Sequence, residues 1–558
     1  MDGSDRREIV KDNIPHAYGL TLLGDYLYWT DWQRRTVDKV NRLTGGQRQT
    51  IVDQLSNLMG VKAILVNETI GKNPCSVANG GCSELCLNRP TDYVCGCQID
   101  YELAPDRKTC VVPEAFILLT HKENITRISL DSTINDAVLP IAGMKDISAL
   151  DYDQTDSRIY WTDVKLKAIS RAFFNGSEVE RIVEYGLDSP EGLAVDWIAR
   201  NVYWSDTGSK RIEMARLDGQ ARKVLLWKNI DEPRSLAIDP QKAYIYWAEW
   251  GGSGTLERAD LDGSRRIILI AKLGRASGLT LDLDGRRMYW TELHGAQSSI
   301  ESSDLEGNER RVLVPRDPGR PYALALYKDS IYWTDWTSGN VEEADKKTGR
   351  KRVVKHHQID HVTDILVYQT SPHRDMNACS VNNGGCSHLC FALPSERIAL
   401  GSRVTHKCGC PTHFTLNDST CHAPTSFLIF GQRNTLTRFL PDGPDCPDTI
   451  LPIQGLKNLR AVEFDPVTQL VYWIDGRSHS IRSAQDGGGD SVVVMSADSN
   501  QHLFDLAVDP VTGLLFTSCS NADSINVTQI HNGTVPLGVV VKGYGEKPRN
   551  LALHPEQG

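Results

Sequence analysis

The sequence lacks the features that mark several large classes of protein. It contains no run of about 18 apolar residues that could span a bilayer. Met1 is followed by charged and small residues rather than by the apolar core of a signal peptide. The formal net charge is −10, and no basic stripe with interleaved aromatic residues is present, which argues against binding of nucleic acid.

Sequence patterns of catalysis are absent as well. The chain shows no nucleophile elbow, no metal-binding histidine pair and no phosphate-binding loop. Its most regular acidic residues recur once per repeat, which indicates architecture rather than chemistry. We therefore predict that the chain is not an enzyme, needs no cofactor or metal, and has no small-molecule substrate.

What the sequence does contain is an aromatic tetrapeptide that returns every 43 residues. A period of this length is typical of a structural unit that buries its core by stacking on copies of itself. The five copies follow one another without insertion or deletion, at 160–163, 203–206, 246–249, 289–292 and 332–335.

Each repeat predicts four short strands. Between 192 and 227, four runs of apolar residues alternate with turns, and Asp218 with Gly219 supplies the positive φ angles of a tight hairpin. No amphipathic helical stretch interrupts the series. Four strands with an aromatic-acid signature predict one blade of a β-propeller. We expect each tryptophan to pack between neighbouring blades and each acid to accept backbone hydrogen bonds.

The number of repeats predicts a closed ring of six blades. The segment 116–119 lies about one period before the first tetrapeptide and is interpreted as a sixth, degenerate copy. Further copies at 28–31, 472–475 and, in degenerate form, 515–518 lie beyond cysteine-rich segments, so we assign them to other rings. The predicted fold class is all-β, with six-bladed YWTD-type propellers separated by small disulfide-rich modules.

Two cysteine-rich segments need covalent cross-links because they are too short to bury a core, which implies an oxidising compartment. Spacing alone leaves 15 pairings open in each segment. A zinc site is the rival interpretation, but cysteines one residue apart suit tetrahedral coordination poorly. The first segment contains Cys75, Cys82, Cys86, Cys95, Cys97 and Cys110, and the second contains Cys379, Cys386, Cys390, Cys408, Cys410 and Cys421.

Outside these segments, Cys446 and Cys519 fall in what the repeat predicts to be successive blades. They form either a disulfide or two buried thiols. Sequons for N-glycosylation fit a secreted protein. They start at Asn67, Asn124, Asn175, Asn417, Asn526 and Asn532. We expect Asn175 and Asn532 in turns on one face of the rings, and Asn124 near the rim of the other.

The turns at 79–83 and 383–387, both Asn-Gly-Gly-Cys-Ser, resemble those of an epidermal-growth-factor-like (EGF-like) module. The resemblance implies pairing of the first cysteine with the third, the second with the fourth and the fifth with the sixth. The residues at 72–74 and 375–377 do not match the acidic calcium signature of such modules, so we predict rigid spacers without metal. Packing of Leu87 or Phe391 against the adjoining propeller would then fix the angle between successive rings.

These assignments divide the chain into five predicted parts. They are a terminal blade of an incomplete propeller at 1–71, an EGF-like module at 72–113, a complete six-bladed propeller at 114–374, a second EGF-like module at 375–424, and the first blades of another propeller at 425–558.

This order of propellers and modules resembles the ectodomain of low-density-lipoprotein-receptor-related proteins. More narrowly, the segments 28–35, 186–192 and 194–197 resemble the Wnt co-receptors of that family, the arrow type. The resemblance covers essentially the whole chain. It implies a piece of a longer single-pass membrane protein, on the extracellular side of the plasma membrane.

We expect function on one rim of the central propeller, where first strands begin and second strands end. The resemblance implies that this face binds Wnt proteins and secreted antagonists of the Dickkopf or sclerostin type, and that a Frizzled-type receptor shares the Wnt ligand. The residues implied as contacts are Asp146, Val164, Glu191, Arg234, Trp250, Arg275, Tyr322 and Trp336.

Three further rim positions depart from the family pattern, which favours an acid, a histidine and a tyrosine. The residues here are His294, Arg320 and His361. These changes make the face less acidic, so we predict that a basic ligand is held less strongly than is usual in the family.

Two other functions are considered. An endocytic receptor of the same superfamily would release cargo on acidification through histidine protonation, for which the candidates are His294, His356, His357 and His361. A six-bladed hydrolase would need a metal-coordinating set at the channel, and the EGF-like inserts disfavour it.

Overall fold

The computed structural model describes the chain except for residues 1–5, 66–71, 99–100, 112, 131–136, 253, 296, 318, 358, 360, 370–375, 399–404, 498–501, 532, 544, 546, 556 and 558. The described part confirms the all-β prediction. Its helices are four short 3-10 helices, Pro74–Ser76, Ala78–Gly81, Asn382–Gly385 and Ser395–Arg397. Internal contacts divide the chain into two units, Met1–Pro113 and Glu114–Gly558.

The first unit contains one four-stranded antiparallel sheet and a disulfide-rich module. The sheet runs in the order β1 (Ala17–Leu23), β2 (Tyr26–Asp31), β3 (Thr36–Asn41) and β4 (Gln49–Val52). Two hairpins follow, β5 (Leu85–Asn88) with β6 (Tyr93–Gly96) and β7 (Glu102–Leu103) with β8 (Cys110–Val111). Disulfides join Cys75 to Cys86, Cys82 to Cys95 and Cys97 to Cys110, the pairing that the resemblance implies.

The second unit begins with a ring of six four-stranded sheets. The sixth sheet contains β9 (Ala115–His121), β10 (Asn124–Ser129) and β11 (Ala137–Val138). Sheet 1 consists of β12 (Ile147–Asp153), β13 (Arg158–Asp163), β14 (Ala168–Phe173) and β15 (Glu180–Val183). Sheet 2 consists of β16 (Pro190–Asp196), β17 (Asn201–Asp206), β18 (Arg211–Arg216) and β19 (Lys223–Leu226).

The next three sheets repeat this order. Sheet 3 consists of β20 (Pro233–Asp239), β21 (Tyr244–Glu249), β22 (Gly254–Asp260) and β23 (Ile267–Leu273). Sheet 4 consists of β24 (Arg275–Asp282), β25 (Arg287–His294), β26 (Gln297–Asp304) and β27 (Arg311–Asp317). Sheet 5 consists of β28 (Pro321–Tyr327), β29 (Ser330–Asp335), β30 (Asn340–Asp345) and β31 (Val353–His356).

The ring closes through its sixth sheet. The strand β32 (Asp364–Gln369) pairs antiparallel with β9, so that Tyr368 lies opposite Phe116. The sheet therefore combines strands from the beginning and the end of the ring. First strands of neighbouring sheets contact one another all the way round, including β32 with β12. The predicted degenerate copy at 116–119 is confirmed as the second strand of this sheet.

The repeated tryptophans pack between neighbouring sheets, as predicted. Trp204 is fully buried in one cluster with Ala149 and Tyr160 of the preceding sheet. Trp161 packs in the same way with Phe116 and Leu118 of the sixth sheet. Each tryptophan side chain fills the space between two twisted sheets. The propeller therefore buries its apolar surface only when all six sheets close into a ring.

The acid of each tetrapeptide fixes the turns at one end of its sheet. Asp206 accepts backbone hydrogen bonds from Asp188, Ser189 and Ser209 at 2.8, 3.1 and 2.8 Å. Asp163 accepts in the same manner from Lys145 at 2.7 Å. The predicted role of these acids is therefore confirmed, and the loops that they hold are the ones that form the candidate site.

A second disulfide-rich module packs against the ring. It contains the hairpins β33 (Leu389–Ala392) with β34 (His406–Gly409) and β35 (Thr415–Asn417) with β36 (Thr420–His422). Its disulfides are Cys379–Cys390, Cys386–Cys408 and Cys410–Cys421. Phe391 is 2% exposed and lies in one cluster with Leu225 and Ala259 of the ring. The expected packing of Phe391 is thereby confirmed.

Three further sheets follow the module. The first consists of β37 (Leu428–Gly431), β38 (Leu436–Phe439) and β39 (Asp448–Ile450). The second consists of β40 (Leu459–Asp465), β41 (Leu470–Asp475), β42 (Ser480–Gln485) and β43 (Val492–Ser496). The third consists of β44 (Leu503–Asp509), β45 (Leu514–Cys519), β46 (Ser524–Gln529) and β47 (Val535–Lys542). Asp448 of β39 forms an ion pair of 2.6 Å with Arg211 of the ring.

The alternative of a disulfide between Cys446 and Cys519 is wrong. Both residues are buried free thiols. Cys446 precedes β39 and Cys519 ends β45, so a complete sheet lies between theirs along the chain. Their sulfurs face Asp448 at 3.8 Å and Asn521 at 3.2 Å, respectively. A disulfide needs Cα atoms within about 7 Å, and residues two sheets apart do not offer this geometry.

Candidate ligand-binding face

One rim of the ring is built from the ends of two antiparallel strands in each sheet. The residue after the second strand donates its backbone N–H to the segment before the first strand. Trp250 donates to the Glu232 carbonyl at 2.9 Å, and Trp336 donates to the Arg320 carbonyl at 2.8 Å. Sheets 1 and 2 repeat this bond, from Val164 to the Asp146 carbonyl and from Thr207 to the Ser189 carbonyl. Residues that are far apart in sequence therefore lie side by side on this rim.

Arg234 contacts several other side chains of the rim. Its Nε lies 2.9 Å from a Glu191 carboxylate oxygen, and its side chain is only 17% exposed. Its terminal nitrogen donates to the Tyr322 hydroxyl at 2.8 Å. The guanidinium also lies over the Trp250 ring, 3.8 Å from the centroid. Contacts on all sides leave this side chain little conformational freedom.

Aromatic rings extend from Arg234 in both directions. The Tyr322 ring lies 5.2 Å from that of Trp336, which lies 6.4 Å from the His361 imidazole. On the other side, the Arg275 guanidinium lies 5.2 Å from the Trp250 centroid. We call this continuous series the rim path, and its members are Arg275, Trp250, Arg234, Tyr322, Trp336 and His361.

Not every predicted contact residue joins this path. Asp146 and Val164 lie together on sheet 1, where the Val164 N–H donates to the Asp146 carbonyl at 2.9 Å. His294 ends β25 and lies 2.5 Å from a Glu292 carboxylate oxygen. Arg320 is exposed and precedes β28. These four residues share the rim with the path but have no described contact with its rings.

Of the two tryptophans and the tyrosine of the path, Trp336 alone is exposed. The Trp336 side chain is exposed, with 46% of the residue surface accessible, whereas Trp250 is half-buried under its two arginines. Burial raises the pKa of Tyr322 above its ordinary value, so its hydroxyl stays neutral and accepts the Arg234 hydrogen bond. Trp336 is therefore the apolar surface that this rim presents to a partner.

The rim surrounds the mouth of an axial cavity of about 260 Å³ lined by the first strands. Two carboxyls that the sequence did not single out, Asp151 and Asp364, line its wall. Asp364 accepts backbone hydrogen bonds from Leu150 and Ile365 at 2.8 and 2.9 Å, and Asp151 accepts from Val195 at 2.7 Å. Burial among the sheets raises the pKa of each carboxyl to about 7. Since each joins two neighbouring sheets, both hold the ring together.

One group of side chains has the proximity of metal ligands, but its chemistry does not suit a metal. Cys386, Cys390 and His406 have sulfur and nitrogen atoms within 4.8 Å of one another. Both sulfurs belong to disulfides and cannot act as thiolates. The group is therefore part of the covalent framework of the module.

The sequons fall in varied surroundings. Asn124 begins β10 and is exposed, and Asn175 lies in the exposed turn between β14 and β15, where the Ser177 hydroxyl donates to its side chain at 2.7 Å. Asn417 is exposed on β35, whereas Asn526 is half-buried within β46. Asn67 and Asn532 lie outside the described residues.

Histidines proposed as an acid-sensitive cluster are divided between two places. His294 contacts Glu292 on sheet 4. His356 ends β31, and its Nδ1 lies 3.2 Å from the carbonyl oxygen of His357. His361 contacts Trp336 on the rim path. No contact between His294 and the other three is described.

A closed ring of YWTD sheets, disulfide-rich modules before and after it in the chain, and a rim of aromatic and charged side chains define an extracellular receptor module. Family models agree with this class. The low-density lipoprotein receptor repeat class B matches residues 157–197 and 200–240, and the coagulation factor Xa inhibitory site matches residues 75–110.

Curated relatives specify the family. The chain is 45% identical to low-density lipoprotein receptor-related protein 5 of Mus musculus over 565 residues, which cover 100% of this chain and 34% of the relative. The human protein of that name is 46% identical, with coverage of 99% and 33%. Human low-density lipoprotein receptor-related protein 4 is 47% identical, with coverage of 74% and 21%. The chain belongs to the low-density-lipoprotein-receptor-related protein family.

The chain spans about a third of the length of the first two relatives. It corresponds to an extracellular receptor region of this family, which consists of receptors rather than enzymes. Within the described part of the chain, none of the helices has the length and apolar character that crossing a bilayer requires.

Proposed function

We propose that this chain is the ligand-binding part of a Wnt signalling co-receptor, and that the rim path of the central ring is its docking surface. Secreted Wnt proteins are the ligands, and a Frizzled-type receptor is engaged through the shared Wnt. Secreted antagonists of the Dickkopf or sclerostin type compete for the same face. The family of the chain and the resemblance of 186–192 and 194–197 to the Wnt co-receptors support this assignment.

The observation that carries the proposal is the exposed Trp336, which contacts Arg234 through Tyr322. Tryptophan, tyrosine and arginine dominate the energetics of protein interfaces, and they are most effective when packing already holds them in place. Trp336 is in contact with Tyr322, which accepts a hydrogen bond from Arg234. A ligand that covers Trp336 therefore loses little side-chain entropy on this surface.

The test is binding of purified Wnt and Dickkopf proteins to the whole chain carrying Trp336→Ala or Trp250→Ala. Removal of an interface anchor typically costs about 2–4 kcal/mol of binding free energy, so we expect a loss of about 30-fold or more for Trp336→Ala. Unchanged thermal unfolding must accompany the loss.

Trp32→Ala is the matched control. Trp32 also follows a tetrapeptide, is 49% exposed and donates its N–H to the carbonyl of His16, but it lies in the other unit. Equal affinities of the parent chain and the Trp336→Ala and Trp250→Ala variants would refute the assignment. Equal losses in Trp336→Ala and Trp32→Ala would show that the central ring is not the specific docking surface.

The endocytic alternative has one observation in its favour, the contact of His361 with the exposed Trp336. Histidine is the side chain whose charge most readily changes between neutral and mildly acidic pH. Binding of the same ligands is measured at neutral and at mildly acidic pH, with the parent chain and with the His361→Gln variant. This measurement separates the endocytic function from the signalling function. Ligand release on acidification that His361→Gln abolishes would favour the endocytic function.

A further inference from the structure

Three carboxylates near the rim path are paired or hydrogen-bonded within the ring. Glu191 is paired with Arg234 at 2.9 Å. Glu292 lies between His294 at 2.5 Å and Arg310 at 2.7 Å. Asp335 is 3% exposed and accepts backbone hydrogen bonds after β29. These three acids therefore present almost no free negative charge to a partner.

Cations of the same region are left available. Arg275 and Arg320 are exposed, lie on the neighbouring sheets 4 and 5, and have no ion pair with any described residue. The imidazole of His361 is exposed on the same rim, whereas the exposed imidazole of His294 is already in contact with Glu292. We call Arg275, His294, Arg320, Trp336 and His361 the cationic arc. The exposed Glu232, which has no ion pair with a described residue, lies outside this arc, before β20 and beside Trp250.

Local charge outweighs the total charge at this surface. The chain has a formal net charge of −10, which would repel an acidic partner at long range. At physiological ionic strength the Debye length is about 8 Å, so a group in contact with the arc interacts mainly with the arc. An exposed guanidinium without an ion pair can bind a carboxylate through two parallel hydrogen bonds.

We infer that the cationic arc binds an acidic segment of a protein ligand, with carboxylates on Arg275 and Arg320 and an apolar side chain of the segment on Trp336. This inference rests on the proposed function, because it specifies the chemistry of the partner that the rim path accepts.

A polypeptide fits the arc better than a sulfated polysaccharide does. Sites for such polyanions are runs of five or more basic residues, whereas here two permanent cations are separated by aromatic rings. Alternation of charge with exposed apolar surface matches a peptide in which carboxylates flank an apolar residue.

The experiment uses the whole chain and three probes. The first is a fluorescent 12-residue peptide of Asp, Glu and Gly with one central Leu. The second is the same peptide with Lys at every acidic position, and the third is low-molecular-weight heparin. One variant carries both Arg275→Glu and Arg320→Glu. The control variant carries Arg350→Glu, and Arg350 is exposed in the turn between β30 and β31. Fluorescence anisotropy is measured at low and at physiological salt.

We expect the acidic peptide to bind and its affinity to fall as salt is added. Like charges across an interface are strongly unfavourable, so the double reversal is expected to weaken acidic-peptide binding about tenfold or more and to create binding of the lysine peptide. Arg350→Glu should change neither. Stronger binding of the lysine peptide to the parent chain would overturn the inference, and so would unchanged acidic-peptide binding in the double variant, or binding of heparin alone.

These outcomes are separable from the fate of the proposed function. If Trp336→Ala abolishes Wnt binding but the charge reversals leave both Wnt and the acidic peptide unaffected, the docking face stands and the inferred partner chemistry is wrong. If Trp336→Ala leaves Wnt binding intact while the acidic peptide still depends on Arg275 and Arg320, the arc is a site for acidic segments and the Wnt assignment is wrong.

Discussion

The guanidinium of Arg234 lies 3.8 Å from the centroid of the Trp250 indole. Arg234 belongs to β20 and Trp250 follows β21 of the same sheet, so this contact covers the rim end of one blade. Glu191 of the preceding sheet pairs with the same guanidinium at 2.9 Å. A single side chain thus connects two blades at the rim, and its loss should affect the binding face more than the fold.

The first prediction concerns this coupling. Arg234→Ala should weaken ligand binding. It should also lower the free energy of unfolding, because Glu191 is left half-buried without a counter-charge. Adding Glu191→Gln to this variant should restore much of that free energy. In a double-mutant cycle of unfolding free energies, the two residues should be coupled by about 0.5–3 kcal/mol. Chemical denaturation of the parent, both single variants and the double variant measures this coupling. Strict additivity would show that the ion pair does not organise the rim.

The second prediction concerns the docked module. Phe391 is 2% exposed and packs among residues of sheets 2 and 3. Phe391→Ala should destabilise this contact by about 3–5 kcal/mol, because it removes a large buried ring and leaves a cavity. Differential scanning calorimetry of the whole chain should show a lower first transition. Phe430→Ala, at a position that is 43% exposed, should change little, and a similar effect of both substitutions would contradict the packing.

Some of this arrangement follows from the sequence and some does not. The 43-residue register predicts the sheets, the buried tryptophans and the buried acids because all three repeat. The strand β32 has no tetrapeptide and pairs with β9 about 250 residues earlier, so no local pattern indicates it. The Arg234–Glu191 pair depends on the side-chain conformations of two neighbouring sheets, which the repeat period does not fix.

For the cysteines too, the sequence predicts some features of the structure and not others. In the modules, the Asn-Gly-Gly-Cys-Ser turn carries a family resemblance, and the implied pairing is the one that the structure contains. For Cys446 and Cys519, spacing by repeats suggested successive blades. The first of the three C-terminal sheets has no tetrapeptide, so the count of blades between these residues was one too few.

The third prediction follows from these two thiols. Native chain should react slowly with a thiol reagent, because Cys446 and Cys519 are buried and burial raises the pKa of Cys446 to about 11. The denatured, unreduced chain should release two thiol equivalents. A value near zero would show that these cysteines are paired after all. Peptide mapping under non-reducing conditions provides the control on the six disulfides of the modules.

The fourth prediction concerns pH. Burial raises the folded-state pKa of Asp151 and Asp364 to about 7, whereas an unfolded aspartate titrates near about 4. The folded chain therefore binds more protons than the unfolded chain between these values, and these two carboxyls lower the stability of the ring as pH rises from about 4 to about 7. Asp364→Asn removes one titrating group.

Thermal unfolding across this pH range checks the fourth prediction. Relative to the parent, the Asp364→Asn chain should lose less stability between mildly acidic and neutral pH. Comparing how steeply stability changes with pH in the parent and in the variant removes the contribution of all other titrating groups. A parent and variant with parallel pH profiles would show that Asp364 titrates normally in the folded ring.

The most direct test of the central claim is the footprint of a bound Wnt protein on the whole chain, measured by hydrogen–deuterium exchange. Protection is expected at 250–252 and 336–339, which follow β21 and β29 on the rim. No change is expected at the turns 218–221 and 346–351 on the opposite side of the ring. Protection confined to those opposite turns, or none within the ring, would contradict the assignment of this rim as the docking surface.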